Sequence, residues 1–311
     1  MTDLLGAPNA TPPAFGSLGG HGARRRLADS IVGPRGTVGH ADAVDTRLPD
    51  FLLIGAMKAG TTSLFRWLGE HPGAALPAVK EPEILLGPGD PRPAYRDLFA
   101  HLPPDVITGE ASARYGHPAE IATVVHAVER WLPDTRLVYL VRDPEQRLRS
   151  HYRHECQRGR ERRSLAEATT APDSPYVAHS RYHDVISPIV EGLGASRLTV
   201  VRFEELMGDQ GETWSRLLDD LGLHPFERPS TRHNTSDDKG QFRPFMRLLH
   251  DRGLVERVGR LRLPTGRLRR LLVDDSDAAR RRLDAAAGAP LPDVVRAQLE
   301  LERQRLASLI D

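Results

Sequence analysis

The stretch "FLLIGAMKAGTTSLFRWLGEHP", Phe51 to Pro72, decides the fold. Its first four residues are a short apolar run of the kind that forms a buried strand. Thr61 and Thr62 then open a helix that closes at His71-Pro72. Strand, glycine loop and helix together make an anion cradle: backbone N–H groups at the helix start point at the ligand, and the helix dipole favours negative charge there. A nucleoside triphosphatase loop reads GxxxxGK[ST]. Gly55 and Gly60 keep that separation, but Thr61 stands at the lysine position and the lysine lies inside the loop as Lys58.

Outward from this loop, strand candidates recur at Val106–Thr108, Leu137–Val141 and Leu198–Phe203. Helical patterns at Ala119–Trp131, Pro144–Arg158 and Arg181–Gly192 separate them. Alternation of this sort predicts an α/β fold, a P-loop-like parallel β-sheet with helices on both faces, and ligands beyond the carboxyl ends of the strands. The C-terminal third, from about Glu212, reads as mostly helical. Leu291–Ile310 forms an amphipathic helix with Val294, Val295, Leu299, Leu301, Leu306 and Ile310 as its apolar positions. Residues 1–48, rich in Gly, Pro, Ala and Arg, read as a flexible N-terminal arm, and 49–311 as one catalytic domain.

Composition narrows the function. The 311 residues carry a net charge of +1, which gives no bulk argument for a nucleic-acid partner. No apolar run reaches membrane-spanning length and no signal peptide is recognisable, and a single cysteine, Cys156, fits a reducing cytoplasm. Only three of the 43 basic residues are lysines, Lys58, Lys80 and Lys239, a bias that points to a high-GC, bacterial genome. A lysine kept against that bias marks a place for a compact ammonium rather than a planar fork. The arginine-rich stretches Arg158–Arg163 and Arg260–Arg270 read as solvated surface.

A second anion site is carried by "RLVYLVRDPEQRLRSHY", Arg136–Tyr152. The strand ends at Arg142, Asp143-Pro144 opens a helix with proline at a favoured first-turn position, and Ser150 follows two turns along. A guanidinium and a hydroxyl converging on one spot would bind phosphate; the alternative is that Arg142 and Asp143 pair at a loop.

Together these stretches resemble the sulfotransferases that use 3′-phosphoadenosine 5′-phosphosulfate (PAPS), particularly the bacterial and heparan-sulfate-type branch. The matching segments are Gly55–Ser63, Lys80-Glu81-Pro82, Thr108-Gly109-Glu110-Ala111-Ser112, and Val141-Arg142-Asp143-Pro144 through Ser150. Tyr182, Val200–Leu206 and the final helix match more weakly. The resemblance implies a P-loop-like fold and a donor, PAPS, that leaves as 3′-phosphoadenosine 5′-phosphate (PAP) without a required metal. It places Lys58 on the oxygen bridging phosphorus and sulfur, and Gly60, Thr61, Thr62 and Ser63 around the 5′-phosphate, with Ala59 of the same loop also among the cofactor-binding residues. Arg142 and Ser150 take the 3′-phosphate, joined by Lys239 and Gly240 from a late polar loop, Arg232–Pro244. For the general base it gives Glu81 first, then Glu110, with Glu83 and a histidine also open. His151 and His154 read more readily as helix-surface residues than as part of an acceptor cleft.

The sequence departs from the family at Ala111, where heparan-type enzymes carry lysine, and at Ser63, where the cytosolic branch carries an adenine-stacking aromatic. The acceptor implied is a hydroxyl, less readily an amine, of a small metabolite, lipid or glycan. Competing readings are a P-loop kinase or nucleotidase with an atypical loop, and a non-catalytic nucleotide-binding relative. Oligomeric state is not written in the sequence.

Overall fold

The computed structural model describes residues 47–208, 211–230, 241–242, 273–274 and 276–310. Nearly all of the expected N-terminal arm lies outside the described residues, as do Arg260–Arg270, Lys239 and Gly240.

Five parallel strands form the sheet. They are β1 (Phe51–Gly55), β2 (Ala74–Ala75), β3 (Ile107–Ala111), β4 (Arg136–Val141) and β5 (Leu198–Arg202), in the order β2-β3-β1-β4-β5. β1 is central and every residue in it is buried, because a parallel strand covered on both faces needs an unbroken apolar run rather than an alternating one. Its register, Phe51 opposite Gly109 on β3 and Arg136 on β4, lines up the carboxyl ends of β1, β3 and β4 on one edge. β2, only two residues long, was not anticipated; so short a strand leaves no pattern to read.

Helices cover both faces. α1 (Thr61–Glu70) and α9 (Glu212–Asp220) meet through an edge-to-face pair, Trp67 and Trp214, with ring centroids 6.3 Å apart. α3 (Ile121–Trp131) packs on α7 (His183–Leu193). α2 (Arg92–Phe99) contributes Tyr95 and Phe99 to the same core. The remaining helices are α4 (Pro144–Gln157), α5 (Leu165–Thr170), α6 (Pro175–Ala178), α8 (Phe203–Gly208), α10 (Asp277–Gly288) and α11 (Asp293–Ile310). A two-residue antiparallel pair, β6 (Gln241–Phe242) and β7 (Val273–Asp274), stands apart from the main sheet.

A second apolar cluster joins Leu148, Tyr152 and Cys156 of α4 to α5, α6, α10 and α11. In α11 the buried stripe is Val295, Leu299, Glu302 and Leu306, whereas Val294 and Leu301 are 59% and 48% exposed. The apolar face is narrower than the sequence pattern drew it, because Glu302 occupies a core position and accepts a hydrogen bond from the His183 amide at 2.8 Å.

Candidate functional site

The strand-to-helix loop from Gly55 to Gly60 leaves β1 at the carboxyl edge of the sheet. Ala56 donates its amide to the Leu140 carbonyl at 2.7 Å, which ties the loop to β4. Gly60 caps α1 in the left-handed conformation at φ 99°, with no side chain capping the first turn and no acidic residue in it. That leaves the positive end of the helix dipole to an outside anion. Glycine is required at 60 twice over. A Cβ would strain the positive φ, and it would stand 2.7 Å from the Phe203 ring. Thr61, at the start of α1, is buried, while Thr62 and Ser63 are half-buried.

Lys58 sits in this loop at φ 69°. Among the described residues the only other non-glycine residues at positive φ are Glu81 and Glu83, at 64° and 54°. Such backbones cost of order 1–3 kcal/mol each and persist where surrounding contacts over-determine them. For Glu81 the contacts are visible. Its amide donates to the Ala111 carbonyl at 2.9 Å, and its carboxylate accepts from the Ala113 amide at 2.6 Å. Lys80 pairs with the other carboxylate oxygen, and about a third of the Glu81 side chain is exposed. The Glu83 amide donates to the Ser112 hydroxyl at 3.0 Å, and its carboxylate pairs with Arg114 at 3.1 Å.

Glu110 is different. It is wholly buried on β3, where Tyr95 donates to one carboxylate oxygen at 2.6 Å and Ser112 to the other at 2.5 Å. Burial pushes its carboxyl above the usual range against the pull of those hydroxyls. Glu81 and Glu110 thus lie on neighbouring segments, but only Glu81 is open to solvent.

Arg142 leaves β4 at the same edge, and the weaker sequence matches meet at it and at Asp143. The Tyr182 hydroxyl donates to the Arg142 carbonyl at 2.8 Å and lies 3.3 Å from its amide nitrogen. Asp143 caps α4 by accepting from Gln146 at 2.9 Å and pairs with Arg303 of α11 at 2.7 Å, while its own amide donates to Glu204 of α8 at 2.9 Å. So Asp143 pairs with α11, and Arg142 does not spend its charge on the neighbouring carboxylate. The Arg142 guanidinium lies 4.9 Å over the Phe203 ring, donates to Gln146 at 3.1 Å, and keeps a buried Nε with no hydrogen-bond partner among the described residues. A cation with an unsatisfied donor fits an oxyanion. Ser150, half-buried, follows on the same helix.

Sequence reasoning missed Phe203, Arg147 and His179, and misplaced His151. His151 is buried, not on the helix surface, with its ring 4.8 Å from Tyr176 and 5.3 Å from His179. His179 in turn meets His117 at 4.5 Å. Burial, then the charge of Arg147, pushes the His151 imidazole far below its ordinary range and His179 down to about 3. His151 and His179 meet because α6 packs on α4, which helix periodicity does not report. By contrast, Arg158, Arg160, Arg162 and Arg163 are exposed as expected.

A model described as the sulfotransferase family matches residues 117–228, a span that includes Arg142, Ser150, Tyr182 and Phe203 but not the Lys58 loop. Human heparan sulfate glucosamine 3-O-sulfotransferase 3A1 is 32% identical over 144 residues, which are 46% of this chain and 34% of that protein. The chain therefore aligns with about a third of that relative's length. The crystal structure of a sulfotransferase from Alicyclobacillus acidocaldarius shares the fold, with a TM-score of 0.52 at 24% identity, over 75% of this chain and 99% of that one.

Proposed function

We propose that this chain is a sulfotransferase, as the family match over residues 117–228 supports, and that it moves a sulfuryl group from PAPS to a hydroxyl, less readily an amine, of a small metabolite, lipid or glycan. The observation that carries the reading is the backbone strain: Lys58, Glu81 and Glu83 are the described non-glycine residues at positive φ, and they lie on the two segments assigned to the reacting groups. Backbone strain of this kind clusters at ligand clamps and catalytic sites.

PAPS supplies an activated sulfuryl group whose departure puts negative charge on the phosphosulfate bridge. The chain's residues answer that charge. Lys58 faces the leaving oxygen; Ala59, Gly60, Thr61, Thr62 and Ser63, on the open helix start, hold the 5′-phosphate. Arg142 with its spare Nε, and Ser150 two turns on, hold the 3′-phosphate. Lys239 and Gly240 complete that clamp in this reading. Fixed donors aimed at developing charge are worth on the order of 3–4 kcal/mol each. Glu81 takes the acceptor's proton: it is solvent-accessible, and Ala113 and Lys80 hold it in place. Glu110, with both oxygens engaged and no exposure, supports that segment from beneath.

The test is thermal. PAP without metal raises the melting temperature, and ³⁵S from labelled PAPS moves to an acceptor. A rise with ATP–Mg²⁺ alone would overturn this reading in favour of a P-loop kinase or nucleotidase, and PAP binding without any ³⁵S transfer would favour a non-catalytic relative.

A further inference from the structure

Arg147 lies one turn into α4 and is completely buried. Its Nε donates to Ser180 Oγ at 2.8 Å, one terminal nitrogen to the Tyr176 carbonyl at 2.5 Å, and the other approaches both the Met57 carbonyl and His151 Nδ1 at 3.4 Å. All of these partners are neutral, since His151 is held in its uncharged form. No carboxylate among the described residues pairs with this cation. Burial first, and in smaller part the nearby charge of Arg142, accordingly lower the guanidinium to about 10. A buried charge without an opposite charge is costly, so a fold that keeps one is using it.

The contact with Met57 identifies the use. A trans peptide group is planar, with its C=O and N–H on opposite sides. Drawing the Met57 carbonyl toward α4 turns the Lys58 amide the other way and sets the plane from which Lys58 departs at φ 69°. We infer that Arg147 is a positioning residue: anchored by Ser180 and Tyr176, it holds the Met57–Lys58 peptide and thereby aims the loop lysine at the leaving group. His151 completes the brace, accepting from Arg147 on one side and packed on Tyr176 on the other. The inference rests on the sulfotransferase reading, in which Lys58 acts on the leaving oxygen.

A double-mutant cycle tests it in the full-length protein. PAP affinity is measured by calorimetry, and the single-turnover release of sulfate from pre-bound PAPS, with water as acceptor, reports the chemical step. In the wild type, metal-free PAP binding is required; its absence defeats the sulfotransferase reading itself, whatever Arg147 does. Given binding, R147M keeps PAP affinity within about threefold while sulfate release slows at least tenfold. On the K58A background the same R147M change slows release by less than twofold, because there is no lysine left to aim. Multiplicative losses in the double variant, or a loss of PAP affinity matching the loss of rate, overturn the inference. Should R147M fail to fold, R147K, which keeps the charge but not the fork, enters the same cycle with the same criteria.

Discussion

The hydroxyl of Tyr182, wholly buried at the start of α7, spans the backbone of Arg142, donating to its carbonyl at 2.8 Å and lying 3.3 Å from its amide nitrogen. One side chain thereby satisfies a strand end that has just left the sheet. Tyr182→Phe leaves that carbonyl without a partner in a buried setting, a loss of about 1–3 kcal/mol in urea unfolding. Because Arg142 is the proposed 3′-phosphate contact, PAP affinity falls several-fold as well. Affinity for a mononucleotide lacking the 3′-phosphate stays unchanged, which a general loosening of the site would not produce.

At Gly60 the backbone itself is the constraint. Gly60→Ala meets both the left-handed φ of 99° and the Phe203 ring. The variant loses roughly 1–3 kcal/mol of stability, and the PAP-induced rise in melting temperature shrinks. Adding Phe203→Ala removes the steric clash but not the dihedral strain, so recovery in the double variant is partial.

Glu81 and Glu110 should separate cleanly. Glu81→Gln lowers ³⁵S transfer by about 10²–10⁴-fold, the usual span for a general base, with little change in folding stability. Glu110→Gln acts chiefly on stability, because Tyr95 and Ser112 both donate to the carboxylate and an amide can accept on only one side. The raised Glu110 carboxyl also predicts a pH signature. The folded state binds this proton more tightly than the unfolded state, so its contribution is fully present below the unfolded pKa near 4.5 and fades as pH rises through the folded value. Wild type therefore loses stability relative to Glu110→Gln across that rise in urea titrations; parallel curves would refute the point.

His179 carries the opposite sign. Its folded pKa is lowered to about 3 from an ordinary 6.5, first by burial and then by Arg147. The unfolded chain takes up a proton that the folded chain refuses, so stability falls as pH drops from 6.5 toward 3. His179→Gln flattens that part of the wild-type pH–stability curve. An unchanged slope would show that the imidazole protonates in place.

Much of this architecture was readable from spacing. The apolar run at Phe51–Ile54, the glycine pair flanking Lys58 and the Asp143-Pro144 helix start are near-neighbour patterns, and backbone sterics and helix capping act over a few residues. Four of the five strands of the main sheet and the helices that bear the motifs followed from them. The α11 face was drawn too wide because hydrophobicity alone does not reveal that Glu302 is drawn inward by the His183 amide.

By itself the sequence determined a buried central strand feeding a lysine-bearing loop into a helix, because those states depend on local dihedrals and on continuous apolar stretches. Only the tertiary structure decided which glutamate meets solvent and what holds the loop. Tyr95 closes over Glu110, and Ser180 and Tyr176 seat Arg147 beneath Met57. Burial and charge environment are set by segments distant in the chain, and no short pattern encodes them.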